Sequence, residues 1–163
     1  MSDAPSADAP LDEREMLLAW LGHLRAQVAA TLEGVDEDEA RWAPAKTANS
    51  LISIVQHLGY VERWWYQACF AGLDVVIPWK GDTDADFRVA PEQRVTDVVA
   101  FYRAECDCSD EIIRSAASLD QMSAHPKVAA SLRWIVTHMV EETARHAGHA
   151  DITRELLDVR RGS

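Results

Sequence analysis

From Ser131 to Leu157 the chain contains no proline and a single glycine, Gly148. Leu132, Ile135, Met139 and Ala150 recur there at helical steps. A stretch this long, with an apolar period near 3.6 and no breaker, is satisfied by one long helix that buries one face. No other part of the chain shows the apolar and polar alternation of period two that a half-buried strand requires. The fold must therefore be built by packing helices on helices.

Three further stretches carry the same period. In "LDEREMLLAWLGHLRAQVAATLEG" the apolar positions are Met16, Leu17, Trp20, Leu24, Val28 and Leu32, and Gly34 is the stop. In "LISIVQHLGYVERWWYQACFAG" they are Leu51, Ile54, Leu58, Val61 and Trp65, with Asn49 or Ser50 as N-cap and an end near Gly72. A third helix follows Thr96, with Val98, Phe101, Tyr102, Ile112 and Ile113 facing the core. Four amphipathic helices in a chain of 163 residues predict an all-α four-helix bundle, its connections either antiparallel or crossover. Between the first two helices, "VDEDEARWAPAKTANS" reads as a connection with one helical turn before Trp42. The segment 73–91, "LDVVIPWKGDTDADFRVAP", is long for a connection and is expected to serve as a lid or binding loop. Residues 1–10, "MSDAPSADAP", read as a disordered tail without the features of a secretory signal, which leaves 11–160 as the bundle domain.

Charge removes two classes of partner. Sixteen basic against twenty-seven acidic side chains give a net −11, which repels nucleic acid and anionic lipid. No apolar run approaches a membrane span. Three cysteines without a disulfide framework fit a reducing compartment, so a cytoplasmic protein is expected. Cys106 and Cys108 lie about 200° apart on a helix and cannot jointly grip an ion; Cys69 reads as a small core residue.

Chemistry concentrates in "HMVEETARHAGH", His138 to His149. At about 100° per residue, His138, Glu142, His146 and His149 share a sector of about 80° with the apolar residues of that helix. Glu141, Arg145, Asp151 and Glu155 fall on the solvent side. A carboxylate on an apolar face needs a hydrogen-bonded partner or a cation. Glu142 and His146, one turn apart, can hold one metal ion if another helix supplies a third ligand, and His57 on the second helix is available. An ordinary acid and histidine pair four residues apart is the alternative. His138 and His149 are expected near the site but off the metal, where they could hold a ligand through a hydrogen bond. His23 and His125 have no companion of ligand type.

The stretches "RWAP", "SLISIVQHLGYVERWW", "DADFR" and "LRWIVTHMVEETARHAGHADITREL" together resemble the DinB-like superfamily of metal-binding helical bundles, and within it the mycothiol S-transferase branch. The resemblance extends from about Leu11 to Leu157. It implies a four-helix bundle with a crossover connection and a divalent metal, usually zinc or nickel, held by one residue of the second helix and two of the fourth. Those positions match His57, Glu142 and His146. Many members use three histidines; a glutamate at the first position of the fourth-helix pair is the pattern of relatives that use mycothiol. Zinc is the first choice of metal here.

The activity implied is transfer of a low-molecular-weight thiol, mycothiol as co-substrate, onto a small electrophile in a detoxification role, with His149 available for proton transfer. Trp64, Trp65, Tyr66 and Trp79 could line an apolar acceptor pocket, with core packing the alternative for at least two of them. A metal-dependent hydrolase and a non-catalytic metal- or ligand-binding module are the competing functions. Oligomeric state is left open, a homodimer included.

Overall fold

The computed structural model describes residues 4–6, 11–46 and 49–162. The tail expected at 1–10 lies outside the described residues apart from 4–6. Five α-helices make up most of the regular structure: α1 Glu13–Ala30, α2 Glu37–Arg41, α3 Leu51–Glu62, α4 Val95–Ser115 and α5 Leu132–Arg161. Among the described residues there is no strand, only an isolated bridge between Met122 and Ser131. Among the described residues no helix is long and apolar enough to cross a membrane. Asp12 and Asp36 open α1 and α2 with reciprocal capping boxes to Glu15 and Glu39, and Ser50 caps α3. The short α2 is the helical turn expected before Trp42.

Polar contacts at the helix ends define the topology. Arg133 at the start of α5 pairs with Glu13 at the start of α1, and Arg154 and Arg161 donate to the carbonyls of Thr31 and Gly34 just past its end. These two helices are therefore parallel. Arg14 of α1 donates to the carbonyl of Arg114 at the end of α4, so α1 and α4 are antiparallel. The starts of α3 and α4 share a core with the ends of α1 and α5, where Leu51, Ile54, Val55, Val98, Val28 and Leu157 are buried together. At the other end Tyr66, Ile113, Leu21 and Ile135 form a second core. Because α3 and α4 run the same way, the chain between them must travel back along the bundle. The segment 73–91 is thus the crossover, and its one regular element is a three-residue turn, Ala85–Phe87.

Two expectations change. Met16 and Trp20 are 46% and 41% exposed; α1 buries Val28 as expected, and with it Leu21 and Arg25. The cause is a buried ion pair. Arg25 forks onto both oxygens of Glu62 at 2.8 and 2.7 Å and reaches Asp110 at 2.7 Å. Burial works against the guanidinium charge, but Glu62 outweighs it and holds the pKa of Arg25 well above its ordinary value. The second helix also changes winding, because α3 gives way to a π-helical segment, Arg63–Phe70. There Arg63 and Gln67 both donate to Glu105 of α4, while Tyr66, Cys69 and Phe70 stay buried.

Candidate metal centre

Two long helices bring the expected ligands together. Leu132, Ile135, Met139 and Ala150 are all buried on α5, and this fixes the rotation that turns Glu142 and His146 toward α3. On α3, Ile54, Leu58 and Val61 are buried, which leaves His57 partly buried at the edge of the same seam. His57 Nε2 lies 3.5 Å and His146 Nε2 3.2 Å from the same oxygen of Glu142, Oε1. The three ligand atoms lie within 4.8 Å of one another. Ligands about 2.1 Å from a tetrahedral centre are about 3.4 Å apart, so both contacts have the separation that a shared cation produces. Sequence reasoning had named all three residues.

It had not named Asp86. This residue sits in the crossover turn with no solvent exposure, and its Oδ2 is 2.6 Å from His57 Nδ1. The adjacent Gln56 donates to the carbonyls of Asp86 and Arg88 at 2.6 and 3.3 Å, and Phe87 stacks on the His57 ring at 4.0 Å. The stretch "DADFR" was part of the family resemblance, but its contact with His57 exists only once the crossover has folded back over α3.

Asp86 decides the protonation pattern. A carboxylate at 2.6 Å accepts a hydrogen bond from Nδ1–H of His57, so in the neutral ring Nε2 presents a lone pair to a carboxylate oxygen. Two acceptors face each other unless a proton or a metal ion lies between them. Burial works against a charge on His57, yet Asp86 and Glu142 together hold its pKa above the ordinary value. Hydrogen bonds from His146 and then His57 hold Glu142 well below the usual carboxylate range. The second oxygen of Glu142 accepts from Arg145 at 3.1 Å, which leaves Oε1 for the cluster. His146 Nδ1 is buried without a hydrogen-bond partner among the described residues. The donor set, two imidazoles and one carboxylate, fits zinc or a similar borderline cation.

The flanking histidines differ. His149 is exposed, with its ring 5.6 Å from that of His146 and edge-on to it. His138, one turn before Glu142, contacts Trp65 and Trp134 and approaches Glu141 at 3.9 Å. The aromatic residues expected at a mouth separate as well. Tyr66 is fully buried in the core. Trp64 meets Trp79 and His125 in a second group, and Trp65 alone joins the α3 and α5 seam. Cys69 is buried, as expected; Cys106 is partly buried and Cys108 exposed.

Fold and site define a crossover four-helix bundle with one His, Glu, His cluster spanning its second and last long helices. The chain belongs to the mycothiol S-transferase family, the branch of the DinB-like superfamily that its motifs resemble: residues 16–159 match the family model described as "Mycothiol-S-transferase". Among solved structures, a conserved protein from Enterococcus faecalis is similar, with a TM-score of 0.66 and 15% identity over 90% of this chain and 98% of that chain. At that identity the likeness concerns the fold. No curated protein matches the chain.

Proposed function

We propose that the protein is a metal-dependent thiol S-transferase that joins a low-molecular-weight thiol, mycothiol by preference, to a small electrophile. The observation that carries the proposal is the convergence of His57 and His146 on one oxygen of Glu142, with the other nitrogen of His57 occupied by Asp86. Membership of the mycothiol S-transferase family supports the choice of thiol. A zinc ion, or nickel in its place, held by these three residues would keep a fourth position open and would lower the pKa of a thiol that reached it.

The chain's own residues have distinct tasks. His57 and His146 offer neutral nitrogens, and Glu142 offers one oxygen and a negative charge that partly offsets the cation. Asp86 fixes which nitrogen of His57 faces the site. Sulfur forms a bond to the electrophilic carbon as the thiol loses its proton. In a displacement the leaving group departs with the electron pair of its own bond; in an addition the π pair of the acceptor takes up a proton. The exposed His149, beside His146 at the rim, passes the thiol proton to solvent. His138 stands off the metal. Such chemistry suits detoxification of reactive compounds in a reducing cytoplasm.

The test is conjugation of a chromogenic electrophile with mycothiol, glutathione and bacillithiol in parallel, using protein stripped by chelator and then resupplied with zinc. The expected result is a zinc-dependent rate, highest with mycothiol and abolished by His146→Ala. Zinc-dependent hydrolysis without thiol consumption would replace the transferase with a hydrolase. Zinc binding with no turnover of any thiol would replace it with a binding module.

A further inference from the structure

The seam that holds the cluster continues toward the start of α5. Because α3 and α5 are antiparallel, the His57 and Glu142 level is followed by one where Trp65 faces His138 and Trp134. His138 is four residues before Glu142, about 6 Å along the helix, and Trp134 is one turn further. The three rings touch. Trp134 and His138 stack with centroids 5.1 Å apart and planes 16° from parallel. Trp65 meets His138 nearly edge-on at 4.9 Å and tilts against Trp134 at 5.4 Å.

Core packing accounts for Trp65, which lies against the second core, but not for Trp134. Ile135, Val136 and Met139, interleaved with it on α5, are fully buried, whereas Trp134 remains 51% exposed. A stacked pair with a third ring set across it offers both faces and edges to a flat guest, the two geometries in which aromatic rings attract. Carboxylates border it: His138 approaches Glu141 at 3.9 Å, and Glu142 is the next turn. An anionic guest is disfavoured there.

We propose that Trp65, Trp134 and His138 form the acceptor-binding surface, and that the acceptor is a flat, uncharged aromatic electrophile. The proposal rests on the transferase reading for its chemistry, since the surface would present a ring-borne electrophilic carbon to the thiol one turn away. It goes beyond that reading by assigning the acceptor class and the residues that select it.

The experiment uses the full chain supplied with zinc. Binding of 1,3-dinitrobenzene, which carries no leaving group, is followed by saturation-transfer NMR without thiol. Turnover is measured with 1-chloro-2,4-dinitrobenzene and iodoacetamide as an aromatic and an alkyl acceptor. Trp134→Ala is expected to weaken dinitrobenzene binding about 5- to 10-fold, the size of one lost ring contact. It should raise KM rather than lower kcat for the aromatic acceptor, and lower the ratio of aromatic to alkyl kcat/KM by a similar factor. Trp134→Phe, which keeps a ring, should restore most of the binding. Unaltered dinitrobenzene binding in Trp134→Ala, or no binding to the wild type, overturns the proposal even where alkyl conjugation proceeds. Ring binding lost in Trp134→Ala with no conjugation of either acceptor supports the surface and removes the transferase.

Discussion

His57 and Asp86 are joined by a 2.6 Å contact between Nδ1 and Oδ2, and it ties the crossover to the second long helix at the His57, Glu142 and His146 cluster. Asp86 is fully buried and its other carboxylate oxygen has no hydrogen-bond partner among the described residues, so His57 is the one partner of its carboxylate there. Removing the charge while keeping the shape should loosen the ring's orientation. Asp86→Asn is expected to weaken zinc binding about 10- to 100-fold, read by competition with a chromogenic chelator, with the helical circular dichroism retained. Wild-type affinity in that variant would show that the contact has no part in holding the ligand.

The chelator-stripped protein should be most stable in mildly acidic solution. The raised pKa of His57 contributes stability below the ordinary histidine value of about 6.5, and that contribution is lost as pH rises through the folded value. The lowered pKa of Glu142 acts in the opposite sense: its contribution is present above about 4.3 and is lost as pH falls toward the folded value. Thermal melts across this range should show a maximum between those limits. His57→Gln should flatten the alkaline side; a melt that keeps rising above neutral pH in the stripped wild type would contradict the assignment.

A second charged group lies in the core, away from the cluster. Glu62 has no solvent exposure and receives both Nε and Nη2 of Arg25. Arg25→Met leaves a buried carboxylate without its fork and should destabilise the fold by about 3–5 kcal/mol in urea denaturation. Replacing both, with Arg25→Met and Glu62→Leu, should recover most of that loss. Additive losses in the double variant would mean that the pair is not coupled.

Close packing of α3 on α4 depends on Gly59. A Cβ at this position would stand 2.5 Å from Cε1 of Phe101, inside any tolerable contact. Gly59→Ala is expected to cost about 1–3 kcal/mol by overpacking, more than the gain in helix propensity returns. Phe101→Leu in the same chain should relieve part of the loss. Equal stability of Gly59→Ala and wild type would require a different approach of the two helices.

Residues whose partners lie on the same helix, or whose face is set by neighbours a few positions away, could be read from the chain alone. Glu142 and His146 are of this kind: they share a helical sector with Leu132, Ile135 and Met139, and a carboxylate in that company needs a hydrogen-bonded partner or a cation. His57 could be offered as a third ligand because it sits at the edge of an apolar face, and the family resemblance then singled it out. Asp86 could not be chosen from among the acids of "DTDADF", because its role depends on the crossover lying back over α3. Arg25 and Glu62 carry no local signal of their pairing, since they stand 37 positions apart. Their pairing also rotates α1 away from the face that Met16 and Trp20 suggested. The π-helical segment was hidden for a related reason, since α spacing assigns its residues to faces they do not occupy.

The proposed metal centre is tested most directly by calorimetric titration of zinc into chelator-treated protein, for wild type, His57→Ala and His146→Ala, with circular dichroism to establish that each variant is folded. One zinc ion per chain is expected for the wild type. Loss of either imidazole should weaken the affinity by two orders of magnitude or more. Stoichiometric, unweakened binding in both folded variants would contradict the His57, Glu142 and His146 centre.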